Sequence, residues 1–371
     1  MLVYIKTYGC RMNLIDSEVI LRILSEYGYK HTTDMNEADV VILNCCSVRE
    51  IGHQKAFEHI MTLEQQLDED KVLVISGCMA TQFNEGIFID YPRVQIFAHP
   101  TAYHELPFAI RTIRNKEALH LYLKGKDSRC VYDDVIPLRN LEDNSTATIT
   151  IMKGCDQYCN YCIEPFTRGE RVNRSYDAIM REAVDIRAKG YKDIILFGHI
   201  VDLWEGYAGD KHKDFASLLT DISESCPLQH IKFISSHPLT FSDKIVKTIK
   251  KHNNICRLVH LPVQSGSNRI LQRMNRRYTI EQYADRVRAI REIIPDMQIV
   301  TDIMVGFPGE TEEDFAQTLQ VIDELHFASA NVFAFSMRSG TKAAEMFKDD
   351  VPESTKEKRI KLVRNVVKLY N

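Results

Sequence analysis

Three cysteines lie within one short segment of this sequence, which reads Gly154-Cys155-Asp156-Gln157-Tyr158-Cys159-Asn160-Tyr161-Cys162. This CxxxCxxC loop follows a predicted strand. Iron–sulfur cubanes are held by Cys thiolates, so three thiolates on one loop would leave the fourth iron open. An open iron can chelate the amino and carboxylate groups of S-adenosylmethionine (SAM), whose cleavage starts radical chemistry. The alternatives are a zinc knuckle or scattered buried thiols, but zinc usually takes four ligands and no fourth Cys or His follows at a suitable spacing.

Three further cysteines, Cys10, Cys46 and Cys78, are far apart in the sequence, but each falls just past the end of a predicted strand. We call these three residues the strand-end triad. In an open α/β sheet the carboxyl ends of the strands share one crevice, where the thiols can converge. Neighbouring side chains at a strand end point to opposite sides, so only one of Cys45 and Cys46 can face the crevice, and their adjacency complicates the assignment. The alternative is three buried small hydrophobic residues, a common role of Cys.

The elements that must position the strand-end triad form a predicted first domain over residues 1–125. Short β-branched runs predict parallel strands, and apolar residues at helical spacing predict the helices between them. The pattern is typical of a doubly wound α/β fold of flavodoxin type. The predicted strands and helices are Val3–Thr7, Leu14–Glu26, Asp39–Asn44, Gln54–Leu67, Val72–Gly77 and Val94–Ala98. Residues 126–145 are mostly polar and without periodicity, which predicts a linker.

A second series of strands and helices fills residues 146–371 and predicts a partial (β/α)6 TIM-type barrel. Barrels place their active sites at the carboxyl ends of the strands, where the CxxxCxxC loop lies. The predicted strands are Ala147–Met152, Asp193–Phe197, His230–Ser235, Leu258–Leu261, Gln298–Val305 and Ser329–Phe335. The helices predicted between them include Tyr176–Lys189, Ile280–Ile293 and Glu312–Leu325.

The composition limits the classes of protein and partner. A chain of 371 residues with 44% hydrophobic residues can form two packed domains. The formal net charge is −4, so contact with a nucleic acid would need a local basic patch. We see no signal peptide and no apolar run that could span a membrane, and we therefore expect a cytoplasmic protein without a membrane partner. There, the ten cysteines are expected to be metal ligands or buried thiols rather than a disulfide framework.

With both sets of cysteines placed, the sequence resembles the radical SAM methylthiotransferases over nearly its whole length. The resemblance rests on Thr7–Asn13, Asn44–Glu50, Gly77–Ala80, Thr167–Glu170, His260–Ser267, Met274–Arg276, Gly306–Thr311 and Ser336–Thr341. It is closest to the isopentenyl-adenosine branch, because Cys46 is followed by Ser-Val-Arg-Glu. Members usually carry a further RNA-binding β-barrel, called TRAM. This sequence ends at Asn371, where that barrel would start, so we expect the TRAM domain to be lacking.

The resemblance implies two [4Fe–4S] clusters. The CxxxCxxC loop would ligate the SAM-binding cluster through Cys155, Cys159 and Cys162, and the strand-end triad would ligate an auxiliary cluster. One SAM would methylate a sulfur at the auxiliary cluster. A second would yield the radical that abstracts hydrogen from carbon two of isopentenyl-adenosine, next to the anticodon, before the methylthio group is transferred. The implied partners are the tRNA anticodon stem-loop and an electron donor such as flavodoxin or ferredoxin.

The same sequence leaves two other functions open. One is methylthiolation of threonylcarbamoyl-adenosine in tRNA or of a ribosomal protein aspartate. The other is a non-catalytic Fe–S or RNA-binding protein, against which the intact CxxxCxxC loop and the glycine-containing turns argue.

Seven residues outside the cysteines are further candidates for the site. Turns after the fourth and fifth predicted barrel strands would suit a close backbone approach to SAM, or would be ordinary loops; they contain Gln264, Ser265, Gly306 and Gly309. Three basic residues could contact the substrate, although a salt bridge or a solvated helix face is the alternative; they are Arg168, Arg276 and Arg277.

Overall fold

The structure is a computed structural model that describes residues 1–47, 50–83, 85–125, 132–133, 135–139 and 145–368. Its internal contacts divide the chain into two compact units. Unit 1 comprises Met1–Glu142 and Ile163–Val172, and unit 2 comprises Asp143–Cys162 and Asn173–Asn371. Unit 1 therefore includes a segment that begins directly after the CxxxCxxC loop. Most of the predicted linker at residues 126–145 lies outside the described residues.

Unit 1 contains a six-stranded parallel sheet with the strand order β2-β1-β3-β4-β5-β6. Its elements are β1 (Leu2–Tyr8), α1 (Arg11–Glu26), β2 (Lys30–His31), β3 (Val40–Cys45), α2 (Glu50–Gln66), β4 (Val72–Ser76), α3 (Ile87–Asp90), β5 (Ile96–Ala98), α4 (Leu106–Arg114), β6 (Leu121–Leu123) and α5 (Glu164–Arg168), with 3₁₀ turns at Cys78–Gln82 and Tyr103–Glu105.

The sequences of the central strands explain this architecture. Strands β3 and β4 are buried along their whole length, as expected for parallel strands covered on both faces. Helix α1 buries Ile15, Val19 and Ile23, which recur at helical spacing. The order 2-1-3-4-5 is that of the flavodoxin-like fold, so the predicted doubly wound sheet is confirmed.

Unit 2 is built from strands that alternate with helices. Its elements are β7 (Thr146–Thr150), β8 (Met152–Lys153), β9 (Val172–Asn173), α6 (Tyr176–Ala188), β10 (Asp193–Phe197), β11 (Glu205–Ala208), β12 (Lys211–Asp214), α7 (Phe215–Ser225), β13 (His230–Phe233), α8 (Asp243–Lys251), β14 (Leu258–His260), α9 (Asn268–Arg273), α10 (Ile280–Ile293), β15 (Gln298–Val305), α11 (Glu312–Leu325), β16 (Ser329–Ala334), α12 (Lys342–Met346) and α13 (Glu353–Lys368), with a 3₁₀ turn at Val201–Leu203. Val172, the first residue of β9, belongs to unit 1, and the rest of this strand belongs to unit 2.

Six parallel strands of unit 2 form the expected partial barrel. They pair as β7-β10-β13 and as β14-β15-β16. Backbone hydrogen bonds join the two sets, from Cys256 N to Ile231 O at 2.9 Å and from Ser236 N to His260 O at 3.2 Å. Helices α10 and α11 begin at capping boxes on Thr279 and Thr311, which fixes their starts where the sequence predicts them.

No helix among the described residues is both long and apolar enough to cross a membrane.

Candidate active site

The strand-end triad lies at the carboxyl ends of three adjacent strands of unit 1. Cys10 follows β1 at the start of α1, Cys46 follows β3, and Cys78 begins the 3₁₀ turn after β4. Strands β1 and β3 are neighbours although β2 lies between them in sequence, so the chain reverses its winding direction there. Such a switch point opens a crevice in which ligands bind.

The thiols of Cys10 and Cys46 are brought together by Gly9. This glycine has φ +123°, and a Cβ added to it would lie 2.0 Å from Cys46 Cβ and 2.9 Å from Cys46 Sγ. A hydrogen bond with Cys46 lowers the pKa of the Cys10 thiol to about 6, and the nearby positive charge of Arg168 acts in the same direction. Burial raises the pKa of Cys78 to about 12, and Arg168 opposes this effect.

Cys45 and Cys46 have different surroundings. Cys45 is the last residue of β3 and packs in the hydrophobic core of unit 1 with Leu43 and Ile75. Its burial raises the pKa of its thiol. Cys46 instead lies beside Gly9, so these neighbours favour Cys46 as the third member of the triad.

A buried amide network supports the triad, and it was not predicted from the sequence. Asn13 Nδ2 donates to Asn44 Oδ1 at 2.9 Å, and Asn44 Nδ2 donates to Asn13 O at 2.8 Å. The thiol of Cys10 donates to Asn13 Oδ1 at 3.2 Å. A Cβ on Gly77 would lie 2.4 Å from Asn44 Oδ1, so this position requires glycine. Both asparagines occur within motifs that carry the family resemblance, which was the available signal.

Arg168 is buried in unit 1 and contacts the triad. Its Nε donates to Cys78 Sγ at 3.0 Å, and its Nη1 lies 2.6 Å from Asp16 Oδ2. Asp16 also accepts hydrogen bonds from the hydroxyls of Tyr103, at 2.9 Å, and Tyr132. The substrate role of Arg168 stays a prediction, and these partners favour a role beside the cysteines.

The CxxxCxxC loop in unit 2 is held by the segment that follows α9. Asn160 N donates to Met274 O at 3.0 Å, and Asn160 Nδ2 donates to Arg273 O at 2.8 Å. Asn275 Nδ2 donates to Tyr158 O at 2.9 Å. The Met274–Arg276 motif therefore positions this loop, which spacing alone did not reveal.

The three basic residues at the end of α9 have different environments. Arg276 is buried, and its Nη1 donates to Cys159 Sγ at 3.4 Å. Arg273 Nε donates to Pro308 O at 3.1 Å. Arg277 is exposed. Among these three residues, Arg277 has the environment expected for a substrate contact, and its role is still a prediction.

The predicted SAM turns make contacts within unit 2. Gln264 N donates to Asp302 O at 2.8 Å, and Gln264 O accepts from Met304 N at 2.9 Å. Ser265 is buried beside Thr318 of α11. These contacts fix the turns, and their binding of SAM remains a prediction.

Gly306 and Gly309 are held by carboxylates. Gly306 N donates to Glu310 Oε2 at 2.6 Å, and Gly309 N donates to Asp350 Oδ1 at 2.7 Å. Burial raises the pKa of Glu310 to about 7, and the hydrogen bond from Gly306 N and the ion pair with Arg359 at 2.7 Å oppose this effect.

The donor chemistry of both cysteine sets fits an iron–sulfur cluster. Among the described residues, no three Cys, His, Asp or Glu side chains are arranged to hold a single metal ion. The three thiolates of a cubane bind separate irons, so they need not meet at one point. A thiolate-only set in each unit, with a buried arginine donating to one sulfur, suits a soft-ligand cluster rather than an oxygen-ligated cation.

Comparison with known sequences gives matches along the chain. The family model described as "Radical SAM superfamily" matches residues 149–322, and "Uncharacterized protein family UPF0004" matches residues 2–98. The tRNA-2-methylthio-N(6)-dimethylallyladenosine synthase of Azobacteroides pseudotrichonymphae is 38% identical over 361 residues, covering 96% of this chain and 79% of the relative. The protein of the same name from Phocaeicola vulgatus is 37% identical over 372 residues, covering 99% and 80%.

Solved structures share the fold at low sequence identity. The radical S-adenosylmethionine methyltransferase TsrM from Kitasatospora setae, with cobalamin and a [4Fe-4S] cluster bound, has a TM-score of 0.67 at 14% identity, covering 92% of this chain and 73% of that one. The cobalamin-dependent S-adenosylmethionine radical enzyme OxsB, with aqua-cobalamin bound, has a TM-score of 0.64 at 14% identity, covering 96% and 56%. These likenesses concern the fold alone.

Proposed function

The chain belongs to the radical SAM methylthiotransferases, and from this membership we propose that it attaches a methylthio group to carbon two of isopentenyl-adenosine next to the anticodon of tRNA. The observation that carries the proposal is identity of 37–38% over at least 96% of the chain to synthases named for this modification. The grouping of the strand-end triad at one switch point supports it.

We assign the two clusters to the two cysteine sets. When bound, the cluster on Cys155, Cys159 and Cys162 would supply the electron that cleaves SAM, and the auxiliary cluster would supply the site of sulfur chemistry. The protein's own residues position these ligands. Gly9 lets Cys46 approach Cys10, and Asn160 and Asn275 fix the CxxxCxxC loop. An aromatic C–H has no acidic proton and no leaving group. Acid–base catalysis by side chains alone therefore cannot replace this hydrogen with a methylthio group.

The proposal extends to partners and place. A tRNA anticodon stem-loop would be the substrate, and Arg277 is the exposed basic residue beside the Met274–Arg276 motif. An electron donor of flavodoxin or ferredoxin type would reduce the SAM cluster. We place the reaction in the cytoplasm, together with its tRNA substrate.

The test is complementation of a host that lacks methylthiolation of isopentenyl-adenosine. Mass spectrometry of total tRNA nucleosides should detect the methylthio form of isopentenyl-adenosine when this chain is expressed. A chain with Cys155, Cys159 and Cys162 replaced by Ala should give none. A methylthio product on threonylcarbamoyl-adenosine instead, or no tRNA product from a protein that cleaves SAM, would refute the proposed substrate.

A further inference from the structure

Arg168 is a buried cation next to the strand-end triad. It ends α5 in unit 1, and its side chain is 1% exposed. A buried cation loses the solvation of water, at a cost of several kcal/mol, unless ion pairing and hydrogen bonds offset that loss. The partners of this guanidinium therefore indicate what it does.

Two of its nitrogens have identified partners. Nε donates to Cys78 Sγ at 3.0 Å, and Nη1 lies 2.6 Å from Asp16 Oδ2. Asp16 is itself fully buried and is fixed by the hydroxyls of Tyr103 and Tyr132. The carboxylate is thus oriented from two sides, and it holds the guanidinium with Nε directed at Cys78.

The third nitrogen, Nη2, is buried and has no hydrogen-bond acceptor in the part of the chain that the structure describes. Nη1 makes its ion pair with Asp16 but has no well-aligned hydrogen bond among the same residues. Buried polar groups in folded proteins are nearly always hydrogen-bonded. The guanidinium that contacts Cys78 therefore has an unused N–H donor, and this indicates a further acceptor at the triad.

We infer that Arg168 is a positioning residue of the auxiliary cluster, which holds the Cys78 sulfur and places a positive charge beside the cluster. The inference rests on the proposed function, which assigns that cluster to the strand-end triad. Hydrogen bonds to cluster sulfurs and nearby positive charge stabilise the reduced, more negative cluster, so Arg168 raises its reduction potential.

An arginine suits this position better than a lysine. Its planar fork presents donors in fixed directions, so one side chain can address Cys78 and Asp16 together and keep Nη2 for another acceptor. A lysine would keep the charge for Asp16 but would lose the fixed geometry toward the sulfur. Arg168→Lys therefore separates the effect of charge from the effect of the N–H···S contact.

The experiment uses a parent in which Cys155, Cys159 and Cys162 are replaced by Ala, so that only the auxiliary cluster can form. Arg168→Gln, Arg168→Lys and the double variant Asp16→Asn/Arg168→Gln are compared with it. The double variant removes the buried cation and anion together and serves if Arg168→Gln alone does not fold. Arg111→Gln is the control, because Arg111 is an exposed arginine of α4 in the same unit.

Three quantities are measured after anaerobic reconstitution: iron per chain, the affinity for cluster iron in competition with a chelator, and the midpoint potential by electron paramagnetic resonance. Loss of a residue that contacts a metal ligand typically weakens metal affinity about 10- to 100-fold. We expect a loss of that size in Arg168→Gln and in the double variant, with a more negative potential in both. Arg168→Lys should shift the midpoint potential less than Arg168→Gln does, because it keeps the charge, but it should also lose affinity for cluster iron. Arg111→Gln should match the parent in both quantities.

Thermal unfolding of the cluster-free proteins separates positioning from simple folding support. If the Arg168 variants lower only the unfolding temperature and keep the potential and iron affinity of the parent, the inference is wrong. A parent that takes up no cluster would overturn the proposed auxiliary site and this inference with it. A parent that binds its cluster and is insensitive to all Arg168 variants would overturn the inference alone.

Discussion

Replacing Gly9 by Ala should damage the auxiliary site through one carbon atom. Gly9 has φ +123°, and an added Cβ would lie 2.0 Å from Cys46 Cβ. Gly28 provides a matched control in the same unit, because it has φ +81° and nothing within 4 Å of an added Cβ. Both substitutions strain the backbone, but only Gly9→Ala displaces a cysteine of the strand-end triad.

The expected magnitudes follow from these two geometries. A side chain at a strained backbone position costs about 1–3 kcal/mol, which applies to both variants. Overpacking adds about 1–3 kcal/mol, and this applies to Gly9→Ala alone. The free energy of opening in unit 1 should therefore fall by about 1–3 kcal/mol in Gly28→Ala and by about 2–6 kcal/mol in Gly9→Ala.

Hydrogen exchange of the β3 amides of the cluster-free protein measures this local free energy, since β3 carries Cys45 and leads into Cys46. Iron analysis after reconstitution measures the consequence for the cluster. Gly9→Ala should lose auxiliary iron, and Gly28→Ala should retain it. Equal exchange and equal iron content in the two variants would refute the close approach of Gly9 to Cys46.

The other predictions concern iron content, tRNA binding and pH. Cys46→Ala should lower the iron of the reconstituted protein from about eight per chain to about four, whereas Cys45→Ala keeps it; the reverse result would exchange the two assignments. Replacing the three loop cysteines by Ala should likewise leave about four irons and abolish 5′-deoxyadenosine release. Arg277→Ala should reduce the magnitude of the slope of log K for tRNA binding against log salt concentration by about 0.9. An unchanged slope would show that Arg277 is solvated and does not contact tRNA. Against the effect of burial, hydrogen bonds from Lys244 and Ser217 lower the pKa of Asp214, the N-cap of α7, to about 2. Because this pKa is depressed in the folded protein, the charge contributes stability above pH ~4 that is lost as pH falls towards about 2. Asp214→Ala should cost about 1 kcal/mol at neutral pH, and Asp214→Asn should keep the cap but lose the acid dependence, as followed by unfolding at each pH.

The elements that the sequence predicted most closely are those whose ends carry a local signal. Helix α11 begins after Thr311, whose hydroxyl accepts from Asp314 N while Asp314 accepts from Thr311 N. Strand β15 begins at an exposed residue and then alternates between buried and partly exposed residues. Helix α1 instead starts at Arg11, three residues before the predicted start. The sequence does not mark this start, because its N-cap residue, Cys10, makes no side-chain capping hydrogen bond. The hairpin of β11 and β12 was not predicted, since its polar residues lack a buried face.

The cysteine sets could be identified from the sequence for different reasons. The CxxxCxxC loop is a local pattern, so its spacing is visible directly. The strand-end triad required the strand ends to be placed first, and a parallel sheet then brings them together. The burial of Arg168 had no local signal, because its partner Asp16 lies in α1 near the start of the chain. Arginines are mostly exposed in folded proteins unless they are paired, and only long-range packing distinguishes this buried case.

Each cysteine set has one buried arginine that donates to one of its sulfurs, from Arg168 to Cys78 in unit 1 and from Arg276 to Cys159 in unit 2. The two differ in what balances the charge. Arg168 faces the carboxylate of Asp16, whereas Arg276 packs over the ring of Tyr278 at 5.1 Å and donates to its hydroxyl at 3.2 Å. A carboxylate offsets part of the field of its arginine, and a neutral phenol does not. Arg276 should therefore exert the larger electrostatic effect on its cluster, while Arg168 acts through its remaining positive charge together with the direction of its N–H groups.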